Sequence, residues 1–194
     1  MASRDECAFR NFQAVLQQLQ AWEDEGEIDL YYFDESGFSQ KTNLPYAWSR
    51  RGVPLTQTAF SHSKRLNVLG FLSRHHDPYF QTTTGKVDAA TVIAAFNGFA
   101  ARKPPDRLTV VILDNASMHT SKKFLRETKQ WLDQNIWPVH LPAYSPELNL
   151  IEILWKKMKY EWLPIDARSS FAHLTYCVEE MLSKIGQKYK IIFN

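Results

Sequence analysis

The sequence has no apolar run approaching the roughly 20 residues that a membrane-spanning helix needs. It has no basic-then-apolar opening of the kind that directs secretion, so a cytosolic protein is the expectation. Cysteine is scarce. The two present, Cys7 and Cys177, sit near opposite ends, which excludes a disulfide framework or a close-spaced zinc cluster. No internal repeat and no low-complexity linker interrupts the 194 residues, so they fit one domain, or one domain with a short arm. At 44% apolar and 23% charged, the composition is that of a chain able to bury a substantial core.

Net charge is small, +2, but unevenly spread. Residues 1–30 hold seven acids and two bases, net −5, which leaves +7 for the remainder. Residues 36–110 carry ten Lys or Arg against three acids. A basic body suits a polyanionic partner, with nucleic acid first; a scattered, solvated set of lysines is the plainer alternative.

Periodicity gives the element order. Residues 5–24 read as a helix, with Phe9, Phe12, Leu16, Leu19 and Trp22 recurring at three- and four-residue steps, ended near Gly26. A strand follows from Ile28 to about Gly37. Its alternation puts Tyr32 and Asp34 on one face and Phe33 and Glu35 on the other. Short strands are expected at Tyr46–Ser49 and Leu66–Leu72, giving an antiparallel meander, with a small edge strand at Tyr79–Thr83. Val87–Ala101 is helical, with Asp88 near its start. Leu108–Asp114 is a strand buried on both faces. Ser121–Asp133 is a helix, with Phe124, Leu125, Trp131 and Leu132 as its apolar positions and Thr120 or Ser121 as cap. A strand at Ile136–Leu141 leads to a helix capped by Ser145, opened by Pro146 and running to about Leu163. Ser169–Ile185 is the last helix. Later strands joined by helices imply parallel pairing. The expectation is an α/β fold: a mixed five-stranded sheet, three antiparallel strands then parallel ones, flanked by helices.

Three acids occupy positions suited to chemistry. Asp34 ends the first strand, Asp114 ends the buried strand Val110–Leu113, and Glu152 lies about two turns into the helix begun at Pro146. Carboxylate oxygens suit a hard divalent ion. Two such ions about 4 Å apart can activate an attacking hydroxyl and stabilise a leaving oxygen at a phosphodiester. Strand-end Asp is also a common turn residue and cap.

Three segments raise the acids above that alternative. They are Asp34-Glu35-Ser36-Gly37 after an apolar strand, Leu113-Asp114-Asn115-Ala116-Ser117-Met118-His119, and Leu141-Pro142-Ala143-Tyr144-Ser145-Pro146-Glu147-Leu148-Asn149-Leu150-Ile151-Glu152 with Trp155 one turn on. Together they resemble the signatures of DDE transposases, within them the bacterial insertion-sequence members of the Tc/mariner superfamily. Trp48-Ser49-Arg50-Arg51-Gly52 is similar to another recurring segment of that family. The resemblance implies a ribonuclease H-like fold over residues 28–163, preceded by a helical arm (1–27) and followed by a helix and tail (164–194). It also implies magnesium or manganese, two ions, held by Asp34, Asp114 and Glu152. Cutting of transposon terminal inverted repeats, strand transfer into target DNA at a TA dinucleotide, and a homodimer on DNA are further implications. The location would then be cytoplasmic and nucleoid-associated.

The chain departs from the family in three ways. Leu150 stands where the family usually has Pro; thirty-seven residues separate Asp114 from Glu152, slightly more than usual; and only 27 residues precede Ile28, where relatives carry helix-turn-helix modules. A separately encoded helix-turn-helix module, or a truncated copy, would account for the last. A stand-alone ribonuclease H-like nuclease and an inactive DNA-binding remnant are the rival functions.

Around the three acids, Asn115, His119 and Asn149 are candidate supporting residues. His119 reads more readily as a cap of the next helix, and Asn149 as a partner of Glu152. Glu35 reads as structural or supporting. Arg50, Arg51, Lys64, Arg65 and Lys156 are candidate phosphate contacts, with Lys157 and Lys159 beside the last. His75-His76-Asp77 looks like a metal cluster only superficially, because adjacent residues point apart. Trp131, Trp137 and Trp155 read as core.

Overall fold

A computed structural model describes residues 4–41, 51–52 and 64–193. Helix α1 (Glu6–Asp24) starts where the Asp5 carboxylate accepts the Cys7 and Ala8 N–H groups at 2.9 and 3.0 Å, a side-chain N-cap. Leu16 and Leu19 are buried and Phe9 and Phe12 partly so, but Trp22 is exposed. Its place on the inner face is taken by Glu23, which is buried against Arg74 at 2.6 Å. Gly26, at φ +77, turns the chain into the sheet.

Five strands follow: β1 (Ile28–Ser39), β2 (Arg65–Ser73), β3 (Pro78–Thr83), β4 (Leu108–Leu113) and β5 (Ile136–His140), in the spatial order β3-β2-β1-β4-β5. β3, β2 and β1 are antiparallel, whereas β1, β4 and β5 are parallel. This is the mixed sheet expected from the sequence. The third antiparallel strand is Pro78–Thr83, the small edge strand expected at Tyr79–Thr83. The strand expected at Tyr46–Ser49 lies outside the described residues. β1 does not break at Gly37. It continues to Ser39 because Gly37, opposite Asn67, leaves room for the Arg65 side chain, which a Cβ there would meet.

The sheet separates two cores. Tyr31, Phe33, Leu69, Phe71, Val111 and Leu113 face α2 (Ala89–Arg102) and α3 (Lys122–Leu132). Here aromatic rings dominate: Phe71 stacks on Phe99 at 4.2 Å and Phe96 on Trp131 at 4.7 Å. Leu125 and Leu132 are exposed, so the apolar face of α3 is narrower than its sequence suggests. On the other side Leu30, Tyr32, Val68, Val110 and Ile112 face α1, α4 (Ile151–Lys157) and α5 (Phe171–Ser183). Trp137, on the edge strand β5, is exposed rather than core.

The segment after β5 is not one helix from Pro146. A single 3-10 turn, Pro146–Leu148, is followed by Asn149 in extended conformation, and α4 begins at Ile151. Ser145 makes no side-chain cap. Glu152 therefore stands in the first turn of α4, not two turns in. Leu150, the N-cap of α4, has φ −61°, inside the range that proline fixes, so either residue suits this backbone. α4 continues as a wider π-helical turn, Met158–Trp162, and then the chain makes a 3-10 turn at Ile165–Ser169. Among the described residues, no helix is long and apolar enough to cross a membrane.

Candidate active site

Parallel pairing sets the first two acids side by side. Tyr32 pairs with Ile112, and Asp34 and Asp114 each lie two residues further on, at the same level of neighbouring strands. Asp34 continues the Leu30–Tyr32 face and meets α4. Trp155 Nε1 donates to Asp34 Oδ2 at 3.0 Å. The ring reaches Asp34 because Gly70 lies opposite it in β2; a Cβ on Gly70 would come within 2.9 Å of Trp155 Cη2. Trp155 is thus core, as expected, and also a hydrogen-bond donor to an acid, which its apolar pattern did not reveal.

Asp114 is held differently. Its Oδ1 accepts from Ala116 N at 2.9 Å and meets His119 Nδ1 at 2.7 Å. His119 Nε2 meets Glu35 Oε1 at 2.8 Å. His119 is completely buried and clamped between two carboxylates. It does not cap α3; Ser121 does, accepting from Phe124 N at 3.2 Å. Glu35 points away from Asp34 yet reaches the site through this imidazole. An acid at strand residue 35 and a His five residues past Asp114 were separately visible in the sequence, but not their pairing.

These surroundings push the two aspartates in opposite directions. Burial, then the charges of Glu152 and Glu35, raise the Asp34 pKa to about 8. The His119 hydrogen bond, against burial, holds the Asp114 pKa below the usual carboxylate range. Burial opposes charge on His119, but its bonds to Asp114 and Glu35 outweigh it and raise the pKa to about 10, so the ring is an imidazolium at neutral pH. Burial also raises the Glu152 pKa, against the nearby Lys159 ammonium.

The third motif is tied to the first. Asn149 Nδ2 donates to Phe33 O, the residue before Asp34, at 3.0 Å, and Asn149 O accepts from Glu152 N at 3.0 Å. Asn149 therefore links strand and helix, rather than bonding the Glu152 carboxylate. Its Oδ1 is buried without a hydrogen-bond partner among the described residues. The Asn115 side-chain amide donates to Leu141 O, joining the ends of β4 and β5. Beside Asp114 a cleft of about 440 Å³ is lined by Asn115, Leu141, Pro142, Tyr144 and Ser145. Tyr144, at φ +58, is held in the left-handed region and exposed at its mouth.

The three acids stand apart. Among the described residues, only Glu23, Asp24 and His75 bring potential ligand atoms within 4.8 Å of one another. Both acids of that trio already pair with one guanidinium, since Arg74 bonds Glu23 and Asp24 at 2.6 Å each. Asp34, Asp114 and Glu152 repel one another, and indole and imidazole anchor two of them. His75, His76 and Asp77 are dispersed: His75 lies near Glu23, His76 Nε2 accepts from Ile191 N at 2.9 Å, and Asp77 accepts from Tyr31 Oη.

Of the candidate phosphate contacts, Arg51, Lys64, Arg65 and Lys156 are exposed. Arg50 lies outside the described residues. Lys156 sits one turn beyond Glu152 on α4, on the same side of the helix. Lys159, two turns beyond, is close enough to feel Glu152 and Asp34.

The sequence profile of a family described as DDE superfamily endonuclease matches residues 29–174. A search of curated protein sequences gave no match. Among solved structures, the Mos1 mariner paired-end complex with Mn is similar over 96% of this chain and 58% of that one, at 16% identity and a TM-score of 0.64. The catalytic domain of Mos1 mariner transposase is similar over 96% of this chain and 86% of that one, at 16% identity and a TM-score of 0.58. The Mos1 paired-end complex with left transposon end is covered to 56% of its chain length, at 17% identity and a TM-score of 0.59. This chain thus spans little more than half of the longer Mos1 chains, and their shared fold is the ribonuclease H-like one.

Proposed function

The chain belongs to the DDE superfamily of endonucleases, and from that premise we propose that it is the catalytic domain of a transposase. In this reading it cuts DNA at transposon terminal inverted repeats and joins the freed 3′-hydroxyl to target DNA. Asp34, Asp114 and Glu152 would hold magnesium or manganese, two ions. The observation that carries the reading is Asp34. It is a carboxyl that feels the charges of Glu152, Glu35 and Asp114, and is hydrogen-bonded to an indole and to no cation among the described residues. Its charge is costly alone and favourable next to a metal ion. The donor set fits that ion: carboxylate oxygens suit hard divalent cations, and acids serving two ions have no need to converge on one point. When bound, such ions supply Lewis-acid stabilisation of the charge that develops on a phosphodiester.

The chain's own residues do the positioning. Trp155 orients Asp34, the His119 imidazolium orients Asp114, and Asn149 fixes the approach of the helix carrying Glu152. Exposed Arg51, Lys64, Arg65 and Lys156 would hold backbone phosphates, with Arg50 a further candidate. Two chains would act together, because transposition joins two DNA ends. The test is Asp114→Asn. It is expected to keep the circular dichroism spectrum and lose manganese-dependent cleavage of plasmid DNA; a fully active variant would refute the assignment.

A further inference from the structure

Arg168 is not used by the carboxylate site, yet it is unusual. It lies in the 3-10 turn Ile165–Ser169 and is only 9% exposed. Its Nε and Nη1 are buried and bond to nothing among the described residues. Guanidinium is the side chain least able to shed its charge, and a buried charge without a partner is costly. Such groups in native folds call for an explanation.

The surroundings offer one. Arg168 lines a small pocket with Lys41, Lys159, Ser39 and Tyr160, over the backbone of Gly37. Lys41, Lys159 and Arg168 line this space and, among the described residues, no acid does. Arg65 adds positive charge at the rim, since its side chain lies over Gly37 and its charge is felt at Lys159. Ser39 and Tyr160, which carry hydroxyls, complete the lining with Phe38, over whose ring the Lys159 ammonium lies at 5.7 Å. A planar guanidinium with two ammonium groups matches a phosphate, which takes up to several charge-assisted hydrogen bonds. The pocket is also close to the acids. Lys159 follows Glu152 by seven residues along α4 and its π turn, a rise of roughly 10 Å. It therefore lies one or two nucleotides' reach from the carboxylates.

We propose that the pocket over Arg168 binds a backbone phosphate of the DNA strand that passes the carboxylates Asp34, Asp114 and Glu152. This deepens the DNA-cleaving function proposed above and rests on it. The contact would fix the register of the strand, because Lys159 and Glu152 ride on one helical segment.

The test uses the full chain and a fluorescein-labelled duplex oligonucleotide of arbitrary sequence, read by anisotropy in EDTA across a salt series. Arg168→Met is expected to bind roughly tenfold more weakly, with the slope of log K against log salt shallower by about one. It is also expected to melt at a higher temperature, because it removes a charge buried without a partner; an arginine with a purely structural role would melt lower when replaced. Lys41→Met, at an exposed position on the other wall, should weaken binding likewise and serves if Arg168→Met does not fold. Wild-type duplex affinity and salt slope in both variants would overturn the inference. So would inorganic phosphate raising the melting temperature of the wild type while duplex affinity ignores both substitutions, since the pocket would then take a free anion. Plasmid cleavage by the wild type in manganese is measured alongside: if it is absent, the transposase reading falls; if it is present and the variants bind normally, only the phosphate pocket falls.

Discussion

Asp34 and Asp114 sit at the same level of neighbouring strands, yet the protein treats them in opposite ways. Asp34 faces α4, is partly buried, and receives an indole N–H while feeling the charges of other acids. Asp114 is half exposed and receives a charged imidazole whose far side is neutralised by Glu35. One acid is presented ready-ionised. The other has a charge that the bare fold does not compensate. A carboxylate pair on a flat register need not be chemically equivalent: what lies beneath each strand face decides it. On the α2/α3 side the layer beneath is a dense aromatic core able to bury an ion-paired His119. On the α4 side it is a single indole seated over a glycine.

The largest effect that could break this comparison is on catalysis. Asp34→Asn and Asp114→Asn are both expected to remove metal-dependent plasmid cleavage, but with opposite effects on the metal-free fold. Asp34→Asn should stabilise it near neutral pH by an amount on the order of a few kcal/mol, since ionising a carboxyl with a raised pKa costs folding free energy. Asp114→Asn should destabilise it, because it strips the imidazolium of a partner. Equal and same-signed shifts in urea unfolding would dissolve the distinction.

Replacing His119 is the next largest. His119→Ala leaves Glu35 and the Asp114 side unpaired around a cavity and should cost about 3–5 kcal/mol. His119→Gln, able to retain one or both bonds, should recover part of it. A loss below 1 kcal/mol for the alanine variant, on the scale of about 0–1 kcal/mol typical of surface pairs, would mean that the clamp is not formed.

The pH dependence sharpens the contrast further. Asp34, with its folded pKa raised to about 8, contributes stability that is full below the unfolded carboxylate pKa and is lost as pH rises toward 8. His119, raised to about 10, contributes stability that is full below its unfolded pKa near 6.5 and is lost as pH climbs through 10. Asp114, lowered, contributes stability that is present above its unfolded pKa and lost in acid. Melting temperature in EDTA should therefore fall between about pH 4 and 8 in the wild type; in Asp34→Asn the fall below about pH 6.5 should be much reduced, leaving the decline above it that His119 contributes.

The smallest effects come from the support of Asp34. Trp155→Phe keeps the ring and loses the donor; it should cost about 1–3 kcal/mol of stability and weaken manganese binding about 10–100-fold. Gly70→Ala should act through the same indole, pushing it from Asp34 at a cost of about 1–3 kcal/mol. Unchanged metal affinity in both would remove Trp155 from the site.

The sheet was legible in the sequence because its strands are written in two alphabets. β4 is apolar from Val110 to Leu113, as a strand covered on both faces tends to be, and β1 alternates so that Asp34 and Glu35 fall on opposite faces. The positions of the three acids were legible as strand ends and a motif. Their relationships were not. Nothing local shows that His119 and Glu35, 84 residues apart, share a proton-bearing bond. Nor does a helical pattern reveal that Trp155 crosses 121 residues to donate to Asp34. The helix expected from Pro146 was misplaced for a physical reason: a proline and a serine made a plausible start, but Asn149 turns extended to reach Phe33, so the helix begins later.

In the proposed function, Asp34, Asp114 and Glu152 hold the divalent ion. The most direct measurement is calorimetric titration of manganese into the wild type, Asp34→Asn, Asp114→Asn, Glu152→Gln and Asp24→Asn. Binding is expected for the wild type and Asp24→Asn, with its loss or severe weakening in the other three. Manganese binding that survives in those three and disappears with Asp24→Asn would place the ion at the Glu23, Asp24 and His75 cluster instead, and would contradict the account.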